Sequence, residues 1–216
     1  MQTKAILSGC SFFLLFGCSL QGQLLHTRVA DPINYSPNSF YWTPSASLFF
    51  CQIDGDQASG FNKLGFQFAL TTGYRLKARN IDALELSMGI AERGSRRFFN
   101  AETLESAFHI RAKQIELQIA GLKQFGSIEA LFGLRPTMLL KIQECEGVNP
   151  GIADDFARFG CLASMGMGCK LSKKVSCRLS LDYSVYSILR KNARLRLYNA
   201  SGAFHNGLGV TLNYIP

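Results

Sequence analysis

Apolar and polar side chains alternate along the chain with a period of two, the pattern of a strand with two unlike faces. From Leu64 to Leu76, the residues Leu64, Phe66, Phe68, Leu70, Thr72, Tyr74 and Leu76 share one face, and Gly65, Gln67, Ala69, Thr71, Gly73 and Arg75 the other. The pattern returns between Phe156 and Val185. There Phe159, Cys161, Ala163, Met165, Met167, Cys169 and Leu171 alternate with Arg158, Gly160, Ser164, Gly166, Gly168 and Lys170. After Ser172, Lys173 and Lys174 it resumes as Val175, Cys177, Leu179, Leu181, Tyr183 and Val185 against Ser176, Arg178, Ser180, Asp182 and Ser184. About ten residues per arm, joined by a short polar turn, is what a bilayer-crossing strand needs, with one face in lipid and one in a polar interior.

Five further segments carry weaker forms of the same signal. The first, Thr43 to Cys51, sets Pro44, Ala46, Leu48 and Phe50 against Thr43, Ser45 and Ser47, with Phe49 blurring the alternation. The preceding Phe40 to Trp42 suits an interfacial aromatic girdle. Leu84, Leu86, Met88 and Ile90 oppose Glu85, Ser87, Gly89, Ala91 and Arg93. From Lys113 to Phe125, Ile115, Leu117 and Ile119 oppose Glu116, Gln118 and Ala120, and a break in phase at Gly121 to Lys123 predicts a bulge there. Ile128 to Leu140 places Glu129, Gly133, Arg135 and Thr137 inside, with Pro136 expected near a strand end or bulge because it lacks an N–H. The last segment, Phe204 to Ile215, sets Leu208, Val210, Leu212 and Tyr214 against His205, Gly207, Gly209, Thr211 and Asn213.

The connections alternate in length. Gln52 to Asn62, Gly94 to His109, Lys141 to Asp155 and Tyr186 to Ala203 are long, whereas Lys77 to Asn80, Gly126 to Ser127 and Ser172 to Lys174 are short. This asymmetry predicts an all-β fold, a closed antiparallel up-and-down transmembrane β-barrel of about eight strands spanning residues 43–216. Its setting would be the outer membrane, with both termini periplasmic. Residues 23–42 read as a lead-in broken by Pro32 and Pro37.

Residues 1–22 read as a cleaved signal peptide, with Lys4, an apolar stretch from Ala5 to Phe16, and a small, polar exit from Ser19 to Gln23. A rival reading takes Leu15, Phe16, Gly17 and Cys18 as a lipoprotein signal, with Cys18 lipidated. Neither Cys nor His spacing suggests a metal site, and no cofactor is expected. On this register Cys169 and Cys177 lie opposite each other on the lipid side, either as a bonded pair or as two small apolar groups. Cys51 and Cys145 both fall near the long-loop rim. The formal charge of +8 comes from basic residues scattered singly, which speaks against nucleic acid as a partner.

Candidate chemistry lies mainly in the inward charges, Arg75, Glu85, Arg93, Glu116, Glu129, Arg135, Arg158, Lys170, Arg178 and Asp182. Unpaired charge in so narrow a lumen is costly, so these residues are expected to form ion pairs across the barrel. A gated or conducting path is the alternative. Arg190, Lys191, Arg194 and Arg196 form a basic cluster in the last long loop, suited to lipopolysaccharide phosphates or an acidic partner, or simply solvated. A lipid hydrolase would need a Ser–His pair at the rim, drawn from His205 with Ser187 or Ser201, or from His109 with Ser106.

Several motifs resemble the PorT-like outer-membrane β-barrel proteins of Gram-negative bacteria. They are Leu84-Glu85-Leu86 through Glu92-Arg93-Gly94, Ile115-Glu116-Leu117 through Leu122-Lys123, Phe132-Gly133-Leu134-Arg135-Pro136, and the closing Gly207-Leu208-Gly209-Val210 with Leu212 and Tyr214. The resemblance implies a small barrel, and the founding member of that family takes part in protein secretion. The expected role is therefore a non-enzymatic scaffold or accessory subunit of an envelope complex. Outer-membrane lipid, lipopolysaccharide and other envelope proteins are the expected partners. A narrow passive pore and a lipid-modifying hydrolase are the alternatives.

Overall fold

In the computed structural model, residues 39–54, 61–76, 80–97, 108–145, 155–190 and 203–216 are described. Eight strands form there: β1 (Phe40–Asp54), β2 (Lys63–Arg75), β3 (Ala83–Arg97), β4 (Phe108–Phe125), β5 (Ile128–Cys145), β6 (Phe159–Lys170), β7 (Val175–Ser184) and β8 (Phe204–Tyr214). Each pairs antiparallel with its neighbour in the chain, and β8 returns to β1, so the sheet is a closed barrel without a free edge.

The circuit of partners around the wall shows how the strands lean. From Tyr41 it runs through Gly73, Glu85, Ala120, Gly133, Ser164, Asp182 and Gly207, and it rejoins β1 at Cys51, about ten residues further on. That stagger corresponds to a tilt of about 40° in an eight-stranded barrel. Side chains at one depth of the lumen therefore come from non-partnered positions, and strands remote in the chain can meet across it.

Alternation sorts the wall into two surfaces. Outward positions are apolar and exposed: Phe68 is 65% exposed, Met88 64% and Phe132 66%. Aromatic pairs mark both rims, Phe40 with Tyr74 at the short-turn end and Tyr183 with Phe204 at the long-loop end. Inward positions are buried and mostly polar, including Ser47, Gln67, Thr71, Glu85, Arg93, Glu116, Arg135 and Asp182. At the long-loop end, Ile53, Ile110, Phe156, Ile188 and Ala203 form an apolar cluster, flanked by Leu139, Ile142 and Leu189. Phe156 and Ile188 are carried there by the chain on either side of a Phe156–Leu189 bridge.

Several boundaries differ from the sequence expectation. β1 begins at Phe40, so Phe40 to Trp42 belong to the barrel and not to the lead-in. β3 runs on to Arg97, β4 starts at Phe108 and β5 reaches Cys145, where loops had been expected. Backbone pairing continues there although the apolar alternation has ended. The register shift lies between Lys113 and Gln114, not at Gly121 to Lys123. The apparent break at Gly121 to Lys123 arises because Leu122 is an apolar side chain on the inner face. Pro136 lies inside the long β5, and the β4–β5 register lapses between Glu116–Thr137 and Ile119–Leu134, where its missing N–H falls.

Phe49 keeps the alternation and points inward, fully buried. It fits because its β8 partner is Gly209, where a Cβ would stand 2.5 Å and 2.6 Å from the Phe49 ring. Tyr41 lies in the same way over its β2 partner Gly73. We expect Gly209→Ala to displace the Phe49 ring and destabilise the barrel by about 1–3 kcal/mol. Reversible urea unfolding in detergent micelles measures this, and Phe49→Leu in the Gly209→Ala background should recover part of the loss.

Candidate functional site: the charged barrel interior

Two ion-pair networks fill the middle of the lumen. In the first, Arg93 of β3 and Arg135 of β5 share the carboxylates of Glu116 on β4 and Asp182 on β7. Arg93 Nε stands 2.6 Å from Glu116 Oε1, and Arg93 Nη2 stands 2.8 Å from Asp182 Oδ2. Arg135 Nη1 is 2.7 Å from Asp182 Oδ2 and 3.3 Å from Glu116 Oε2. The remaining acceptor capacity is taken by neutral donors. Gln67 Nε2 and Gln114 Nε2 donate to Glu116, and Ser164 Oγ donates to Asp182 Oδ1 at 2.7 Å. Phe49 closes one side, with the Arg93 guanidinium 4.1 Å from its ring centre.

The second network lies nearer the short turns. Arg178 of β7 grips Glu85 of β3 with two bonds, Nη1 to Oε2 at 2.7 Å and Nη2 to Oε1 at 2.8 Å, while its Nε donates to Glu129 of β5. The Tyr41 hydroxyl donates to Glu85 Oε1 at 2.7 Å, and the Arg75 guanidinium lies 4.9 Å from the Tyr41 ring centre. The first network thus sets two cations against two anions, and in the second Arg178 faces two carboxylates with Arg75 close by. Buried charge is tolerable only under such mutual compensation.

These networks divide the free space. A cavity of about 40 Å³ is lined by Ser45, Ser47, Gln67, Ser180 and Thr211 among others. A vestibule of about 220 Å³ opens at the short-turn end beside Arg75, Gln124, Lys170 and Ser176. Glu85 and Arg178 line both, so their ion pair stands between the two spaces.

Nine of the ten expected lumen charges line the interior in this way, with Arg75 and Lys170 beside the vestibule. Arg158 does not. It precedes β6, its side chain is exposed, and its carbonyl accepts the Leu139 amide at the rim. Conversely, Tyr41, Phe49, Gln67 and Gln114 take part without having been singled out. So does a buried pair at the long-loop end, Lys63 Nζ with Glu92 Oε1 at 3.0 Å. Their type gives little warning: Phe49 blurs the alternation of its segment, and Lys63 falls between the expected loop Gln52 to Asn62 and the strand that starts at Leu64.

The other candidates separate. Arg190 is exposed and donates to the Phe156 carbonyl, whereas Lys191, Arg194 and Arg196 lie outside the described residues. His205 is buried, and its amide donates to Ser184 Oγ. Ser187 Oγ accepts the Leu189 and Ala203 amides, and Ser106 and Ser201 lie outside the described residues. Cys169 and Cys177 are register partners on the outer face with free thiols, and Cys51 is buried and free.

No protein-family model matches the chain, and no curated protein matches it. The crystal structure of Neisserial surface protein A (NspA) aligns with a TM-score of 0.49 at 10% identity, covering 84% of this chain and 100% of that one. Ail, the attachment invasion locus protein of Yersinia pestis, aligns in its complex with the heparin analogue sucrose octasulfate with a TM-score of 0.43 at 11% identity, covering 83% of this chain and 99% of that one. A second Ail structure gives 0.40 at 10% identity over the same shares. At such identities no residue role passes between the chains.

Removing one member of the central network strands its partners. Glu116→Ala leaves Arg93 and Arg135 with only Asp182 and should cost about 3–5 kcal/mol in micellar urea unfolding. In the β2–β3 turn, Asp82 accepts the Gln124 amide at 2.7 Å and Lys123 Nζ at 3.0 Å. Partial burial works against its ionisation, but these two donors prevail and hold its carboxyl below the ordinary value. A lowered pKa stabilises above the ordinary carboxylate value of about 4, and that gain is lost as pH falls through the lowered one. The Gln124 amide resonance should therefore titrate with an acid midpoint below the ordinary carboxylate value in the wild type and stay flat in Asp82→Asn.

Proposed function

We propose that the protein is an integral outer-membrane β-barrel without enzymatic activity, serving as a scaffold or accessory subunit of an envelope complex. The observation that carries this reading is the contrast between an apolar, exposed outer wall and an interior whose charges compensate one another. The belt on β2 runs from Leu64 to Tyr74, and that on β5 from Ile128 to Met138. Both match the roughly 9–11 residues that a tilted strand needs to cross a bilayer. On this reading the short turns and both termini face the periplasm, and the long loops face outward.

With the lumen occupied by its own ion pairs and the long-loop end covered by the Phe156–Ile188 cluster, the surfaces left for work are the outer wall, the loops and the periplasmic rim. Buried His205 with its amide bonded to Ser184, and Ser187 engaged as an acceptor, favour a binding role over hydrolysis. The PorT-like motifs Leu84-Glu85-Leu86 and Phe132-Gly133-Leu134-Arg135-Pro136 suggest protein secretion as the process served. Their charged members, Glu85 and Arg135, sit in the lumen networks.

Two measurements test this. Purified barrel in planar bilayers should give no steady conductance, and sustained ion current would favour the passive pore instead. Gentle detergent extraction with a tag at the periplasmic end should recover the barrel with envelope proteins in fixed stoichiometry. Recovery of bare monomer only would overturn the scaffold role.

A further inference from the structure

β3, β4 and β5 rise beyond the apolar belt on the long-loop side, and their outward positions there become cationic. Lys113 of β4 and Lys141 of β5 are direct register partners, and both are exposed. Arg111 follows at the next outward position of β4, and Arg96 of β3 stands opposite His109. Like charges placed directly across a strand pair repel each other, so the arrangement favours a counter-charge from outside. Glu92, opposite Lys113, fills that need only in part: its carboxylate is held by Lys63 at 3.0 Å and makes one long ion pair with Arg111 Nε at 3.8 Å.

The register shift produces this surface. Leu139 and Ile142 both pack against the interior apolar cluster, so Leu140 and Lys141 occupy the outer wall in succession. Without the extra residue the alternation would aim Lys141 into that apolar cluster; with it, Lys141 stands beside Lys113. Leu140 is 52% exposed and immediately precedes Lys141, continuing the belt of Phe132, Leu134 and Met138 towards the cations. Cross-strand partners lie about 5 Å apart and successive outward residues about 7 Å. Lys113, Lys141 and Arg111 are therefore spaced to bracket a phosphate whose attached chain lies along the wall below.

We propose that this patch binds the phosphorylated headgroup of a membrane lipid, its acyl chains resting on the apolar belt and its phosphate bonded by Arg111, Lys113 and Lys141. The site rests on the membrane reading above. Its residues are other than those of the basic loop cluster that begins at Arg190.

Native mass spectrometry of the full-length barrel in non-ionic micelles tests the site, with diphosphoryl lipid A, dephosphorylated lipid A and inorganic phosphate as probes. The wild type should retain diphosphoryl lipid A about tenfold better than the dephosphorylated form. The triple variant Arg111→Gln, Lys113→Gln, Lys141→Gln should lose that preference, while Arg190→Gln keeps it. Undiminished preference in the triple variant would overturn the proposal. Displacement of lipid A by inorganic phosphate at equal concentration would reduce the patch to a free-anion site and would equally overturn it. Insertion into vesicles, read as protease protection of the strands, is scored separately. A wild-type chain that fails to insert counts against the membrane reading and not against the patch.

Discussion

Charge neutrality inside a narrow cylinder is the constraint on which the rest of the barrel depends. Eight strands enclose a space that side chains must fill, and here much of that filling is ionic. Arg93, Glu116, Arg135 and Asp182 come from four strands, and each needs at least two of the others. A one-residue slip of any of these strands would turn its charge outward into the apolar face and leave its partners stranded. The network therefore fixes register as well as occupying volume. Phe49 extends its reach: its ring lies under the Arg93 guanidinium and over Gly209, which ties the β8–β1 seam to the same cluster.

The inversion of polarity between the two faces has its own energetic logic. On the membrane reading, burial of the outer belt depends on its surroundings, because the hydrophobic gain there comes from lipid or detergent and not from the chain itself. Specificity must then come from inside, where hydrogen bonds and ion pairs are shielded from water. The two inner networks differ in role accordingly. The central one is enclosed, whereas Arg178 with Glu85 and Glu129 borders the vestibule at the short-turn end.

Much of this was legible in the sequence, for reasons that particular residues make plain. The alternations at Leu64 to Leu76 and in the Phe159–Ser184 hairpin identified strands, faces and the register that sets Cys169 opposite Cys177, because a wall with one apolar and one polar face imposes a strict period of two. The inward charges were visible for the same reason. Their partners were not: the stagger of the barrel brings Arg93 of β3 to Asp182 of β7, a meeting that spacing along the chain does not reveal. Strand ends were also hidden. Hydrophobicity follows the belt, but backbone pairing in β3, β4 and β5 runs past it. Inward apolar residues such as Phe49 and Leu122 look like faults in the pattern until the glycine or rim position beside them is known.

The strands of this barrel are unequal, with 18 residues in β4 and in β5 but 10 in β7. A cylinder whose wall is taller on one side has a front and a back. Rotation about its own axis changes what it presents at a given height, so a neighbour approaching in the plane of the sheet's surroundings meets a raised, basic β3–β5 flank from one direction and a low β7 rim from another. The molecule carries a compass bearing as well as an up and a down, and any assembly built around it inherits that bearing.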